Sequence, residues 1–278
     1  MKNFICELIL SCVVAAPVGK PVDELTYGSM LYSYYQQEYQ QALLETMVAE
    51  AQDRRGEDTV RFDLAKGSFA FSDRMYETAR TTFESVDQTE LTELDQMRLA
   101  FHLAREYHRR GEYAGMDVQL DRISLKSNWL GRSRVHPEVE FMRSEAAVAA
   151  GNYAEAESYL DALDDDDPLL AYGLYNLGVA YREAENLEGS RRAFERLANL
   201  KIRTKGKKAA SAETQDLVQR AKLALSFVAR EQQDTTDATK VLGGLPGEGR
   251  YRDAALASYG GLAMEQGDYE LAARIWLT

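Results

Sequence analysis

Small and large apolar positions recur along this chain at fixed spacing around a tyrosine. Three stretches show it most plainly: RRGEYAGM (Arg109 to Met116), AAGNYAEA (Ala149 to Ala156) and EQGDYELA (Glu265 to Ala272). Each reads glycine, a polar or acidic residue, tyrosine and, three positions on, a small or apolar residue. Seven copies come into register on Tyr39, Tyr76, Tyr113, Tyr153, Leu187, Thr235 and Tyr269, separated by 37, 37, 40, 34, 48 and 34 residues. Three after the register residue stand Ala42, Ala79, Met116, Ala156, Ser190, Ala238 and Ala272. Seven after it stand Thr46, Phe83, Leu120, Leu160, Phe194, Leu242 and Trp276. Nine before it stand Met30, Gly67, Ala104, Ser144, Gly178, Ser226 and Gly260.

The pattern predicts a helical hairpin in each copy. Small residues let two antiparallel helices approach closely, and a larger apolar residue one turn further on the second helix fills the remaining gap. The glycine and polar residue ahead of the register position end the first helix and start the second. In LYSYYQQEYQQAL (Leu31 to Leu43), Met30 to Tyr35 close the first helix and Gln36 to Glu38 form the turn. Gln40 and Gln41 then face outward from the second helix. Only 5 prolines interrupt the chain, which favours helix throughout.

The unit resembles the tetratricopeptide repeat, whose repeat is 34 residues. The sharpest copies are LYNLGVAYREAENLEGSRRAFERL (Leu174 to Leu197) and LASYGGLAMEQGDYELAARIW (Leu256 to Trp276). Leu177, Gly178, Tyr181 and Phe194 stand at marked positions of that family, while Leu187 and Ser190 replace its usual tyrosine and alanine. Pro168, twelve after Ala156, stands where the family often has a proline. The resemblance implies an all-α fold, a right-handed superhelical solenoid of about seven hairpins over residues 23–278. Arrays of this kind resemble exported tetratricopeptide proteins of Gram-negative bacteria. The chain stops at ARIWLT within the second helix of the seventh copy, so Trp276 is expected to lack a full neighbour and a longer parent chain is expected.

The resemblance also implies a concave groove lined by the first helix of each pair, at eight, five and four residues before the register position. Among these positions Tyr34, Tyr35, Phe71 and Phe227 supply aromatic rings, and Arg105, Arg109, Arg182 and Arg230 supply cations. The expected partner is a protein or peptide segment with acidic groups and apolar anchors. Asn176 lies near the asparagine of the family's carboxylate clamp, but the matching lysines are missing, so a heat-shock co-chaperone is not expected.

Charge narrows the partners further. The formal net charge is -12, without the broad positive field that attracts nucleic acid. Five cations, Lys201, Arg203, Lys205, Lys207 and Lys208, fall in the insertion that lengthens the fifth spacing; they read as a solvated loop or as a docking spot for an anionic surface. Trp129, in the insertion ahead of the fourth copy, reads as filling a core gap, and LGGLPGEGRY (Leu242 to Tyr251) as a linker between hairpins. LDDDDPLL (Leu163 to Leu170) lacks the ligand alternation of a calcium loop and reads instead as a helix start, with Asp167 capping and Pro168 in the first turn. His102, His108 and His136 form no ligand or triad spacing, so no enzyme, cofactor or metal is expected.

The two cysteines, Cys6 and Cys12, lie in an apolar N-terminal run, leaving the body of the chain without thiol chemistry. Residues 1–22 read as an export leader, cleaved near Val14-Ala15-Ala16 or lipidated at Cys12, the latter giving a membrane anchor. A short first helix or a misplaced start codon is the alternative, since Glu7 interrupts the run and Pro17 would be an awkward first mature residue. The leading expectation is a non-catalytic adaptor in the periplasm or envelope. An exopolysaccharide-associated module and a cytoplasmic interaction module are the alternatives.

Overall fold

The computed structural model describes residues 21–55, 59–89, 91–124, 135–200, 212–243 and 251–277. Among these residues the regular structure is entirely helical, in 14 helices, and no helix is long and apolar enough to cross a membrane. Residues 1–20 of the N-terminal leader, Trp129, the basic insertion and most of the glycine-rich stretch fall outside the described residues. The helices are α1 (Pro21–Tyr35), α2 (Tyr39–Ala51), α3 (Thr59–Ser72), α4 (Tyr76–Glu84), α5 (Glu93–Arg110), α6 (Tyr113–Leu120) and α7 (Val135–Ala149). They continue with α8 (Tyr153–Asp161), α9 (Pro168–Glu183), α10 (Leu187–Ala198), α11 (Ala212–Glu231), α12 (Thr235–Gly243), α13 (Arg252–Glu265) and α14 (Tyr269–Trp276). Each of the seven register residues is the first residue of an even-numbered helix.

One turn, built seven times, sets this register. The residue two before the register position has positive φ in every copy: Gln37, Arg74, Gly111, Gly151, Glu185, Gln233 and Gly267. The next N–H then reaches back to the carbonyl five residues earlier, as in Glu112 to Tyr107 at 3.0 Å and Asn186 to Tyr181 at 2.8 Å. These bonds satisfy carbonyls that the helix end leaves without partners. Asn186 and Asp268 cap the following helices by accepting from Gly189 N and Leu271 N, each at 2.9 Å. Asp167 caps α9 through Leu169 N at 2.9 Å, with Pro168 at its first position, as the sequence predicts.

The small and large positions interlock. All seven residues nine before the register, and all seven residues three after it, are buried. Where the residue nine before the register is glycine, the residue seven after it is aromatic. A Cβ on Gly178 would stand 2.6 Å from Phe194, and Gly67 faces Phe83 and Gly260 faces Trp276 just as closely. Copies without that glycine carry a smaller later residue: Met30 goes with Thr46, Ala104 with Leu120 and Ser226 with Leu242. A second interlock joins Tyr107 to Gly115 and Tyr181 to Gly189, six before and two after the register. Trp276, over Gly260, remains 51% exposed.

The helices cluster into two compact units, Met1–Ala146 and Ala147–Thr278, so the chain passes from one to the other within α7. In the first unit α2 packs on α3, α4 on α5, and the first helices α3 and α5 also touch. One core joins Met30, Tyr34, Phe69 and Phe83; another joins Phe101, Met116, Leu120 and Met142. In the second unit α8 packs on α9, α10 on α11, α12 on α13, and α9 also meets α11. Leu160, Leu174, Leu177, Tyr181, Phe194 and Leu217 form its main core. Burying each such large side chain contributes about 1.5–3 kcal/mol.

Candidate functional site

In the first unit, the positions expected to line a groove largely hold successive hairpins together. Tyr34 is fully buried, its ring 5.0 Å from Phe69 and its hydroxyl 3.1 Å from Ser72 Oγ. Arg105 is 7% exposed, lies over the Phe71 ring at 4.5 Å and meets Glu138 at 3.4 Å. Neither is an open groove residue, because packing of consecutive first helices encloses side chains at these positions. Tyr35, half-buried, stands edge-on to Tyr34 at 5.8 Å. Phe71 is half-buried between Arg105 and Tyr76. Arg109 is more open, but its guanidinium lies 4.1 Å over Tyr76 and binds Glu106 through two nitrogens at 3.0 and 2.7 Å. His108 meets Glu145 at 2.5 Å. Burial raises the pKa of Glu138, and the charges of Arg105 and His108 oppose that rise without reversing it.

The second unit repeats this with ion pairs. Arg182 binds Glu231, with Nε donating to Oε1 at 3.1 Å, and Arg230 binds Glu265. Each arginine is five before its register residue and each glutamate is four before that of the next copy. The arginines expected to meet a partner's carboxylates therefore already meet the chain's own. The hydrogen bond that Arg182 donates to Glu231 favours its charged form and raises its pKa.

Between α9 and α11 the second unit opens into a cleft of about 550 Å³. Tyr175, Val179, Leu223 and Phe227 give it an apolar wall, and the Arg182–Glu231 pair lies at its edge. Arg220 lies over the Tyr175 ring at 4.5 Å, without a carboxylate partner among the described residues. Tyr251 completes the lining and donates from its hydroxyl to Asp216 at 2.8 Å. Of the expected groove residues, Arg182 and Phe227 meet here. Tyr175, Arg220 and Tyr251 escaped the sequence reading. A signal existed for the first two: tyrosine twelve before one register residue and arginine fifteen before the next. Tyr27 and Arg61 share that relation in the first unit, where they stack at 4.1 Å.

The histidines serve packing and pairing. His102 is buried, stacked on Phe83 at 4.9 Å and 3.3 Å from Ser68 Oγ. Burial, then the charges of Arg105 and Arg98, push its pKa down to about 3. His136 lies 3.5 Å from Glu140. Among the described residues no group of three His, Cys, Asp or Glu side chains could hold a metal ion. Compared with known proteins, the chain matches no protein-family model and no curated protein.

Proposed function

We propose that this chain is a non-catalytic tetratricopeptide-like scaffold, its hairpins continuing as a right-handed superhelical solenoid, which holds a segment of a partner protein on its first-helix face. The observation that carries this reading is the cleft between α9 and α11: an aromatic and aliphatic wall beside Arg220, a cation without a carboxylate partner among the described residues. A segment with an apolar side chain next to an aspartate or glutamate matches both features, and arginine with aromatic anchors often dominates such contacts. Acidic groups would reach Arg182 and Arg230 only by displacing Glu231 and Glu265, so the anchor is assigned to Phe227 and Arg220.

The test is selection from a random peptide display library on the full chain. The expected winners pair an acidic residue with an aromatic or aliphatic one, and Phe227→Ala and Arg220→Glu abolish their capture without loss of helicity. Arg182→Glu and Arg230→Glu weaken it less. Selection of no consensus, or capture unaltered by Phe227→Ala and Arg220→Glu, would refute the reading.

The rings of Tyr175, Phe227 and Tyr251 also suit stacking on sugars, which favours the exopolysaccharide alternative. Tyrosine fluorescence quenched by acidic oligosaccharides, with no response to peptides, would select it. Export to the bacterial envelope rests on the sequence of residues 1–22 alone. The intact mass of the native protein from separated periplasm, membrane and cytoplasm tests it.

A further inference from the structure

Two seams between hairpins share one register but carry opposite charges at one shared position. In the second unit, Tyr181 lies over Gly189 and its hydroxyl donates to Glu157 Oε1 at 2.8 Å. Glu157 stands four after its register residue. Arg196 meets Asp161, eight after the same residue, at 2.5 Å, and Arg192 approaches Glu157 at 3.7 Å. Tyr181, Arg192 and Arg196 thus each meet a carboxylate across this seam.

In the first unit Tyr107 takes the same posture over Gly115. Four after its neighbour's register residue, however, stands Arg80 in place of a glutamate. Glu84, the counterpart of Asp161, accepts from Arg80 at 2.8 Å. Arg122, the counterpart of Arg196, therefore has no carboxylate partner among the described residues, and the Tyr107 hydroxyl has no hydrogen-bond partner there. A pocket of about 230 Å³ opens where the carboxylate would be, walled by Arg80, Leu103, Tyr107, Arg110, Gln119 and Arg122. Its own carboxylates are engaged: Glu84 by Arg80, and Glu106 by Arg109 at 2.7 Å. Arg110 is bound to Glu112 and lies over the Tyr107 ring. Gln119 is 9% exposed, and its Oε1 is buried with no hydrogen-bond partner, a state that native structures rarely tolerate.

We propose that this pocket binds a carboxylate from outside the chain, in the role that Glu157 plays at the other seam. The carboxylate accepts from Tyr107 and Arg122, and a hydroxyl or N–H beside it donates to Gln119 Oε1. The volume holds about eight water-sized groups at about 30 Å³ each, which suits a small hydroxycarboxylate. An aspartate on a docked segment offers the same chemistry.

The experiment is NMR of the full chain, following the Arg122 Nε–H and Gln119 side-chain amide signals. It uses tartrate, N-acetyl-aspartate N-methylamide and acetate as probes. Both signals should shift saturably with tartrate, and acetate, lacking a donor, should bind about tenfold more weakly. Arg80→Glu rebuilds the second-unit arrangement and should weaken tartrate about tenfold or more, as should Arg122→Ala. Saturation by the aspartate derivative but not by tartrate would assign the carboxylate to a protein segment. Saturation by neither overturns the proposal, as does binding that survives both Arg80→Glu and Arg122→Ala. Acetate binding equal to tartrate overturns the role of Gln119.

Discussion

Gly178→Ala should reverse the sign of its effect when Phe194 is shortened. In the native chain the new Cβ would stand 2.6 Å from the Phe194 ring, against about 3.5–4 Å for ordinary carbon contacts. Phe194 is 1% exposed in the main core of the second unit and has little room to yield. Overpacking of this kind costs about 1–3 kcal/mol. Alanine inside a helix offsets about 1 kcal/mol of that relative to glycine. The net expectation is destabilisation by up to about 2 kcal/mol. Phe194→Leu alone removes part of a buried ring and costs about 1–2 kcal/mol. In that background the alanine meets a shorter side chain, as Ala104 meets Leu120 in the third copy. Gly178→Ala should then stabilise by about 1 kcal/mol, so the pair couples by about 1–3 kcal/mol. Repeat proteins need not unfold in one step, so the cycle is best read by native-state hydrogen exchange of α9 and α10 amides alongside urea titration. The same sign for Gly178→Ala in both backgrounds would refute the interlock.

Three other outcomes follow from the same geometry. Glu185, at φ +59°, and Arg74, at φ +64°, hold the left-handed turn without glycine; Glu185→Gly and Arg74→Gly should each raise the melting midpoint by about 2–4 °C, for about 1 kcal/mol. A scanning calorimetry trace with an unchanged or lower midpoint would count against this account of the turn. The unfolded chain protonates His102 near pH 6.5, while the folded chain does so only near 3. Its contribution is therefore complete above pH 6.5 and lost as the pH falls toward 3, and the urea midpoint should drop less between pH 7 and 5 in His102→Phe than in the native protein. Arg105→Ala should cost about 2–3 kcal/mol by removing the cation beside Glu138, with part of the loss restored by adding Glu138→Gln in the same urea assay.

Much of the fold was legible because its signals are local. A left-handed turn, a capping residue and the alternation of small and large positions act within one hairpin, over distances that sequence spacing reports directly. The register therefore marked the start of every second helix, from Tyr39 to Tyr269. The interlock of glycine with an aromatic ring was also present as paired residue types, though its steric meaning needed coordinates. Which first-helix side chains remain open depended on contacts between hairpins. Tyr34 and Arg105 occupy positions assigned to a groove, yet the neighbouring first helix buries the one under Ser72 and Phe69 and the other against Phe71 and Glu138. Arg182 and Arg230 are likewise engaged by glutamates about one repeat further along the chain. A periodic sequence determines what each hairpin is, because hairpins form from near neighbours. Only tertiary structure decides which charges and rings the hairpins use on one another and which remain available, because that depends on residues 33 to 49 positions apart meeting across a seam.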